Sequence, residues 1–307
     1  MATEGSTKAI IAALLANLGI AITKFVAYLF SGSASMLAES VHSVADSGNQ
    51  LLLIIGGRRA RRTASADHPF GYGRSRYVYA FLVSVVLFTV GGLFSIYEGI
   101  NKLNHPHELT NVWLPITVLL VAIVLEGFSL RTAIAESNKV RGNQSWVNFV
   151  RKAKAPELPV VLLEDLAALI GLVLALLGVG LTVLTGNEAF DAYGTLAIGA
   201  LLVVVAVILG IEMSSLLIGE GAGPQDVQKI RKALSETEGV ESVIHLKTLY
   251  IGPEELMLGA KIAVNENSSG QDIARIIDLA EAAVRAVMPV AKTIYLEPDI
   301  LRSKTNA

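Results

Sequence analysis

The 307-residue chain has no cysteine and only five methionines. Without thiols there is no disulfide framework, no zinc-finger cluster and no thiolate nucleophile. So few thioethers leave little room for a soft-metal site. Charge is scarce as well: 17% of residues are Asp, Glu, Lys or Arg, against about 25% in an ordinary soluble protein. The formal net charge of −2 provides no basic footprint for nucleic acid. No HExxH, GxSxG or glycine-rich phosphate loop occurs, so the chain is not read as an enzyme. What is abundant is apolar surface: 52% of residues are hydrophobic and the mean hydropathy is +0.55.

The charge is unevenly spread. Residues 220–307 hold 23 charges in 88 positions, and residues 1–219 hold 29 in 219. The division predicts a transmembrane domain over 1–219 and a soluble C-terminal domain over 220–307. A bilayer crossing needs about 20 mostly apolar residues. Six stretches qualify: 7–30, 34–56, 76–101, 112–135, 157–184 and 191–218. Lys8 and the apolar run after it resemble a signal peptide, but the run continues past Lys24 to Phe30 with no cleavage site, so it reads as a span.

Lysine and arginine set the orientation. The 57–76 and 131–156 loops carry six basic residues each, whereas the opposite loops carry Lys102 alone. Both termini are therefore expected in the cytoplasm. The run from Arg58 to Arg62 has the look of a nucleic-acid patch. Directly after an apolar helix it is a topology anchor.

In the tail, Pro224 starts an amphipathic stretch with Val227, Ile230 and Leu234 on one face. Residues 243–250 and 256–264 read as strands, and 293–296 as a last one. Ile273, Ile276, Ile277, Ala280 and Val284 repeat at helical spacing. The order α-β-β-α-β predicts a small two-layer, ferredoxin-like α+β domain.

Ionisable residues inside a span are costly and usually have a task. In the second span Glu39, His42, Asp46 and Asn49 follow one another at offsets of three or four. At about 100° per residue they line one helical face, where an imidazole and a carboxylate one turn apart can grip one cation. A buried hydrogen-bonded network between helices is the competing reading. The fifth span carries Glu164 and Asp165 side by side. Neighbours point about 100° apart, so one is expected to face a cavity and the other a polar partner. Glu98, Glu126 and Glu212 stand singly in other spans and read as interhelical or interface groups.

These residues resemble the cation diffusion facilitator family of divalent-metal/proton antiporters, and the likeness runs over nearly the whole chain. His42-x-x-x-Asp46 fits the family's metal-binding motif of the second span. His68-Pro-Phe-Gly-Tyr-Gly-Arg74 fits its HP-x-G-x-G-K/R loop signature, and Asp165 fits the last residue of the fifth span's His/Asp-x-x-x-Asp motif. The stretch Leu162-Leu-Glu-Asp165 looks nearest to the zinc transporter nine type subgroup. The resemblance implies a metal site at His42, Asp46 and Asp165. Two positions depart from the pattern. Val161 stands where the family has its first ligand of the fifth span, and Tyr72 stands for the loop's second histidine. Water, Glu39, Glu164 or Asn17 is left to complete the site, with Asn49 on the same stripe. His245, the tail's only histidine, reads as structural.

The resemblance further implies a homodimer of six-span protomers, joined partly through the tails. It would export a divalent cation in exchange for protons, and carry no cofactor beyond that transported ion. Zinc is placed ahead of iron(II), manganese, cobalt and nickel. The expected location is a bacterial inner membrane. The alternatives are a carrier of another cation, a membrane hydrolase built on His42 and Asp46, and a non-transporting scaffold or receptor of the same fold, for which Val161 is the best support.

Overall fold

A computed structural model describes residues 2–106, 109, 111 and 113–301. The chain divides into two compact units, Met1–Arg58 with Val78–Ser214, and Arg59–Tyr77 with Ser215–Ala307. The basic segment 59–77 thus groups with the tail.

The first unit is helical. It contains α1 (Ala2–Ser31), α2 (Ala34–Ala60), α3 (Ser75–Val86), α4 (Phe94–Asn104), α5 (Trp113–Arg141), α6 (Trp146–Lys152), α7 (Glu157–Thr185) and α8 (Ala189–Ile218). A π-helical segment, Leu87–Leu93, joins α3 to α4, so the three run as one 30-residue helix. Among the described residues, four helices are long and apolar enough to cross a membrane: Ser75–Asn104, α5, α7 and α8. This is fewer than the six spans expected from sequence. The reason lies in α1 and α2. The apolar stretch described in α1 is the shorter Asn17–Ser31. Helix α2 is too polar on average, because hydropathy sums all faces while its serines, Glu39, His42 and Asn49 point inward and are buried. Helix α6 lies within the 131–156 segment that the sequence predicts to be a loop.

Small residues let α8 approach the α3–α4 helix closely. A Cβ on Gly92, Gly99 or Gly199 would fall 2.7 Å from Val203, Leu196 or Ile96 respectively. Asp191 of α8 fastens the start of α2. Its carboxylate accepts from Ser33 Oγ at 2.8 Å and from the amides of Ala34 and Ser35 at 2.7 and 3.4 Å. These are amides at the start of a helix, which lack intrahelical partners.

The second unit contains α9 (Pro224–Ser235), β1 (Ser242–Gly252), β2 (Glu255–Ala263), α10 (Gly270–Val287) and β3 (Ala291–Asp299). The sheet order is β1-β2-β3, antiparallel then parallel, with α10 as the crossover. A complete ferredoxin-like sheet has four strands; among the described residues this one has three. Ile230 and Leu234 of α9 and Ala280 and Val284 of α10 share one core with Leu256 and Leu258 of β2, so both helices cover one sheet face. A capping box between Ser269 and Asp272 starts α10. The loop signature joins this unit through Gly73, where a Cβ would lie 2.7 Å from Ile251 O and 2.9 Å from Gly252 Cα. A glycine there allows backbone to meet backbone.

Candidate functional site

Helix geometry alone places His42 beside Asp46, one turn on. His42 Nδ1 lies 3.5 Å from Asp46 Oδ1, and the imidazole is 1% exposed. That distance is too long for a hydrogen bond. Both ring nitrogens of His42 and Oδ1 of Asp46 are buried without a hydrogen-bond partner. Opposite the ring runs the π-helical segment: a Cβ on Gly91 would come within 3.9 Å of His42 Nδ1. Such segments are frequent at functional sites.

The other predicted residues each have a protein partner on one atom, although Glu39 Oε1 and Asn49 Oδ1 are likewise buried without one. Glu39 Oε2 accepts from Lys24 Nζ of α1 at 3.0 Å, and the same ammonium donates to Ser43 Oγ at 2.8 Å. Asn49 Nδ2 donates to Glu164 Oε1 at 2.7 Å, linking α2 to α7. Ser129 Oγ of α5 donates to Asp165 Oδ2 at 2.8 Å. Asn17 Nδ2 donates to Gln50 Oε1 at 3.2 Å.

A cavity of about 210 Å³ gathers many of these groups. Its lining includes Asn17 of α1, Asp46 of α2, and Glu164, Asp165 and Val161 of α7. Both adjacent carboxylates of α7 reach the cavity, where the sequence reading gave it only one. Glu126 of α5, read from sequence as an interhelical group, also lines it. Its place against Asp46 depends on how α5 packs, which a lone glutamate in an apolar run does not signal. His42, Glu39 and Asn49 stand outside the lining. Among the described residues no three His, Asp or Glu side chains lie close enough together to hold a metal ion. The structure therefore brings Asp46 and Asp165 to one cavity and keeps His42 against Asp46, without closing the three into one coordination shell.

Residues 10–218 match the family profile described as cation efflux transmembrane domain. Residues 222–299 match that of the cation efflux protein cytoplasmic domain. The chain is 34% identical over 265 residues to the proton-coupled zinc antiporter SLC30A9, mitochondrial, of Xenopus laevis, covering 85% of this chain and 47% of that one. It is 32% identical over 264 residues to metal tolerance protein C4 of Arabidopsis thaliana, covering 85% and 58%. It is 27% identical over 248 residues to the cation-efflux pump FieF of Escherichia coli, covering 81% and 77%. The chain spans about half the length of the SLC30A9 relatives it matches. Those relatives bear out the subgroup likeness read from residues 162–165.

Proposed function

This chain belongs to the cation efflux family, and on that premise we propose that it exports a divalent metal cation, zinc foremost, in exchange for protons. One observation carries the reading. A buried imidazole and a neighbouring carboxylate oxygen lack hydrogen-bond partners at the edge of a carboxylate-lined cavity. Polar atoms taken out of water and left unpaired cost free energy unless a ligand compensates them. An imidazole with carboxylates is a donor set for zinc and its divalent neighbours. The relatives' printed names, a zinc antiporter and a cation-efflux pump, agree with that chemistry.

We assign His42, Asp46 and Asp165 as the ligands, with Glu164, Glu39, Asn17 and Asn49 as the groups that can complete the shell. In this reading α1 and α2 also cross the bilayer, which makes six spans, and both termini are cytoplasmic in a bacterial inner membrane. The cytoplasmic-domain profile supports a homodimer joined through the tails. Coordination needs a neutral imidazole and ionised carboxylates, so metal binding expels protons. A proton arriving from the far side competes for the same lone pairs and displaces the ion. Alternating occupancy gives antiport, and no covalent bond is made or broken.

The test is zinc flux into proteoliposomes under a pH gradient. Substitutions one shell beyond a metal's ligands already cost about 10–100-fold in affinity. His42→Ala and Asp46→Ala are therefore expected to lose flux by at least that factor. Wild-type flux in both variants refutes the reading. Because Val161 faces the cavity, Val161→His is expected to tighten zinc binding, measured by calorimetry. Unchanged affinity there refutes the assigned register of α7.

A further inference from the structure

A lysine in a membrane helix is costly and normally turns its charged end toward water. Lys24 does not: its side chain is 1% exposed. Asn17, Ile20 and Lys24 follow one another on α1 at offsets of three and four, so they share one face. Asn17 and Ile20 line the cavity of the candidate site. Ser43 lines it too, and its Oγ accepts from Lys24 Nζ at 2.8 Å. The ammonium thus stands one contact away from the cavity. Its other acceptor is Glu39 Oε2, at 3.0 Å.

Glu39 lies three residues before His42 on α2, a spacing that leaves Cβ atoms about 5–6 Å apart. Its second oxygen, Oε1, faces α7 at Gly171, where a Cβ would come within 2.8 Å. Among the described residues that oxygen is buried without a hydrogen-bond partner. It is therefore a ligand atom in reserve, between the helices that carry His42 and Asp165. The ammonium holds it back. A carboxylate shared by a lysine and a divalent ion would bring two cations close together in a poorly solvated place, where they repel.

Coordination number separates the candidate metals. Zinc is satisfied by four N and O ligands in a tetrahedron, whereas manganese(II) suits octahedral, oxygen-rich shells. His42, Asp46 and Asp165 with one further group fill zinc's positions. An added carboxylate from Glu39 gains little for zinc and more for manganese. We propose that Lys24 is a specificity-determining residue: by occupying Glu39 it keeps the metal shell small and favours zinc over manganese(II). It acts through Glu39 and is a positioning residue, not a ligand. The proposal rests on the metal-site reading above.

Binding of zinc and of manganese(II) to the detergent-purified full chain, measured by calorimetry, tests it. The readout is the ratio of the two affinities, which a merely structural ion pair would not move. Lys24→Met is expected to lower the zinc-to-manganese ratio by at least about tenfold, the lower end of what changes one shell beyond the ligands cost. Lys24→Met with Glu39→Gln is expected to restore it, because the freed carboxylate is gone. Lys24→Arg, which keeps the charge, is expected to hold the wild-type ratio. Where the methionine variant does not fold, Lys24→Gln, which still donates to Ser43, is expected to shift the ratio in the same direction. An unchanged ratio in the neutral variants, or a fall of equal size with and without Glu39→Gln, overturns the proposal and leaves the pair a structural clamp. His42→Ala on the same preparations keeps the two readings apart. Wild-type zinc affinity in His42→Ala moves the metal away from this site and refutes both. Lost affinity there with an unchanged ratio in the Lys24 variants refutes the role of Lys24 alone.

Discussion

Lys24 and Glu39 form an ion pair at 3.0 Å with both side chains at most 1% exposed, on two helices of the proposed membrane domain. At that separation and an effective dielectric of about 20, their attraction is roughly 5 kcal/mol, which offsets the cost of removing two charges from water. Lys24→Met leaves the Glu39 carboxylate buried against Gly171, where a Cβ would come within 2.8 Å of Oε1, and deprives Ser43 Oγ of its donor. Breaking one side of a buried pair costs about 3–5 kcal/mol, whereas replacing both members by uncharged residues of similar size is often near neutral. In a unit of this size about 2–4 °C of melting temperature accompanies each kcal/mol. Lys24→Met is therefore expected to lower the midpoint by about 6–20 °C. Lys24→Met with Glu39→Gln is expected to recover most of that loss. Circular dichroism of the detergent-purified chain reads both. A single variant melting with wild type, or a double variant no better than the single, refutes the reasoning. The first result would mean that water reaches the pair. The second would mean that packing of the lysine stem, and not charge balance, matters.

Three further outcomes follow from the geometry. Gly73→Ala places a Cβ 2.7 Å from a backbone carbonyl that cannot turn aside; overpacking of this kind costs about 1–3 kcal/mol. Faster hydrogen exchange in residues 59–77 and 249–253 should report it, and unchanged protection would refute the contact. Asp191→Ala strips the cap from α2, and lost caps cost about 0.5–2 kcal/mol; Asp191→Asn, which keeps one acceptor, should lose less in thermal unfolding. Ser269 donates to the exposed Asp272 carboxyl from its hydroxyl and its backbone amide and holds it below its ordinary value. A lowered acid contributes stability above its unfolded-state pKa and loses it as pH falls through the folded value. The stability gap between wild type and Ser269→Ala should therefore be full near neutrality and narrow in acid. A gap independent of pH would refute the capping role.

Local spacing carried far where the backbone alone decides geometry. The offset of four fixes His42 beside Asp46 whatever surrounds them, and Ile276, Ala280 and Val284 face the core as their spacing requires. Glu39 has a partner that the stripe does not show. Spacing puts it on His42's side of α2, but a lysine 15 positions earlier, on another helix, takes its carboxylate. Glu164 and Asp165 found partners in Asn49 and Ser129 for the same reason: a pairing across helices depends on packing that no single-helix pattern records. Helix α6 was missed because charge was the only signal read between 131 and 156. Ser145 caps it, accepting from the Asn148 amide, and Trp146, Phe149 and Val150 have helical spacing. Nothing in the sequence around Asp191 signals its role, since its partners lie more than 150 positions away.

The pattern of partners also bears on how an ion could enter and leave. A buried charge or imidazole survives in such a bundle when something balances its desolvation. Lys24 does so for Glu39, Asn49 for Glu164, Ser129 for Asp165, and backbone amides for Asp191. Both nitrogens of His42 and Oδ1 of Asp46, together with Glu39 Oε1 and Asn49 Oδ1, receive no such hydrogen bond among the described residues. An ion at that pair gains Asp165 or Glu164 only if the carboxylate gives up its hydrogen bond, at a net cost of about 0.5–1.5 kcal/mol each. The attraction of a divalent cation for an anion at comparable distance exceeds that several-fold at the effective dielectric of a protein. The cation itself thus supplies the differential contact that draws the ligands together, as any ligand-driven change requires. Its departure returns each carboxylate to a waiting serine or asparagine. A carrier needs that reversibility, and a shell already closed in the empty protein would hold the ion too well to release it.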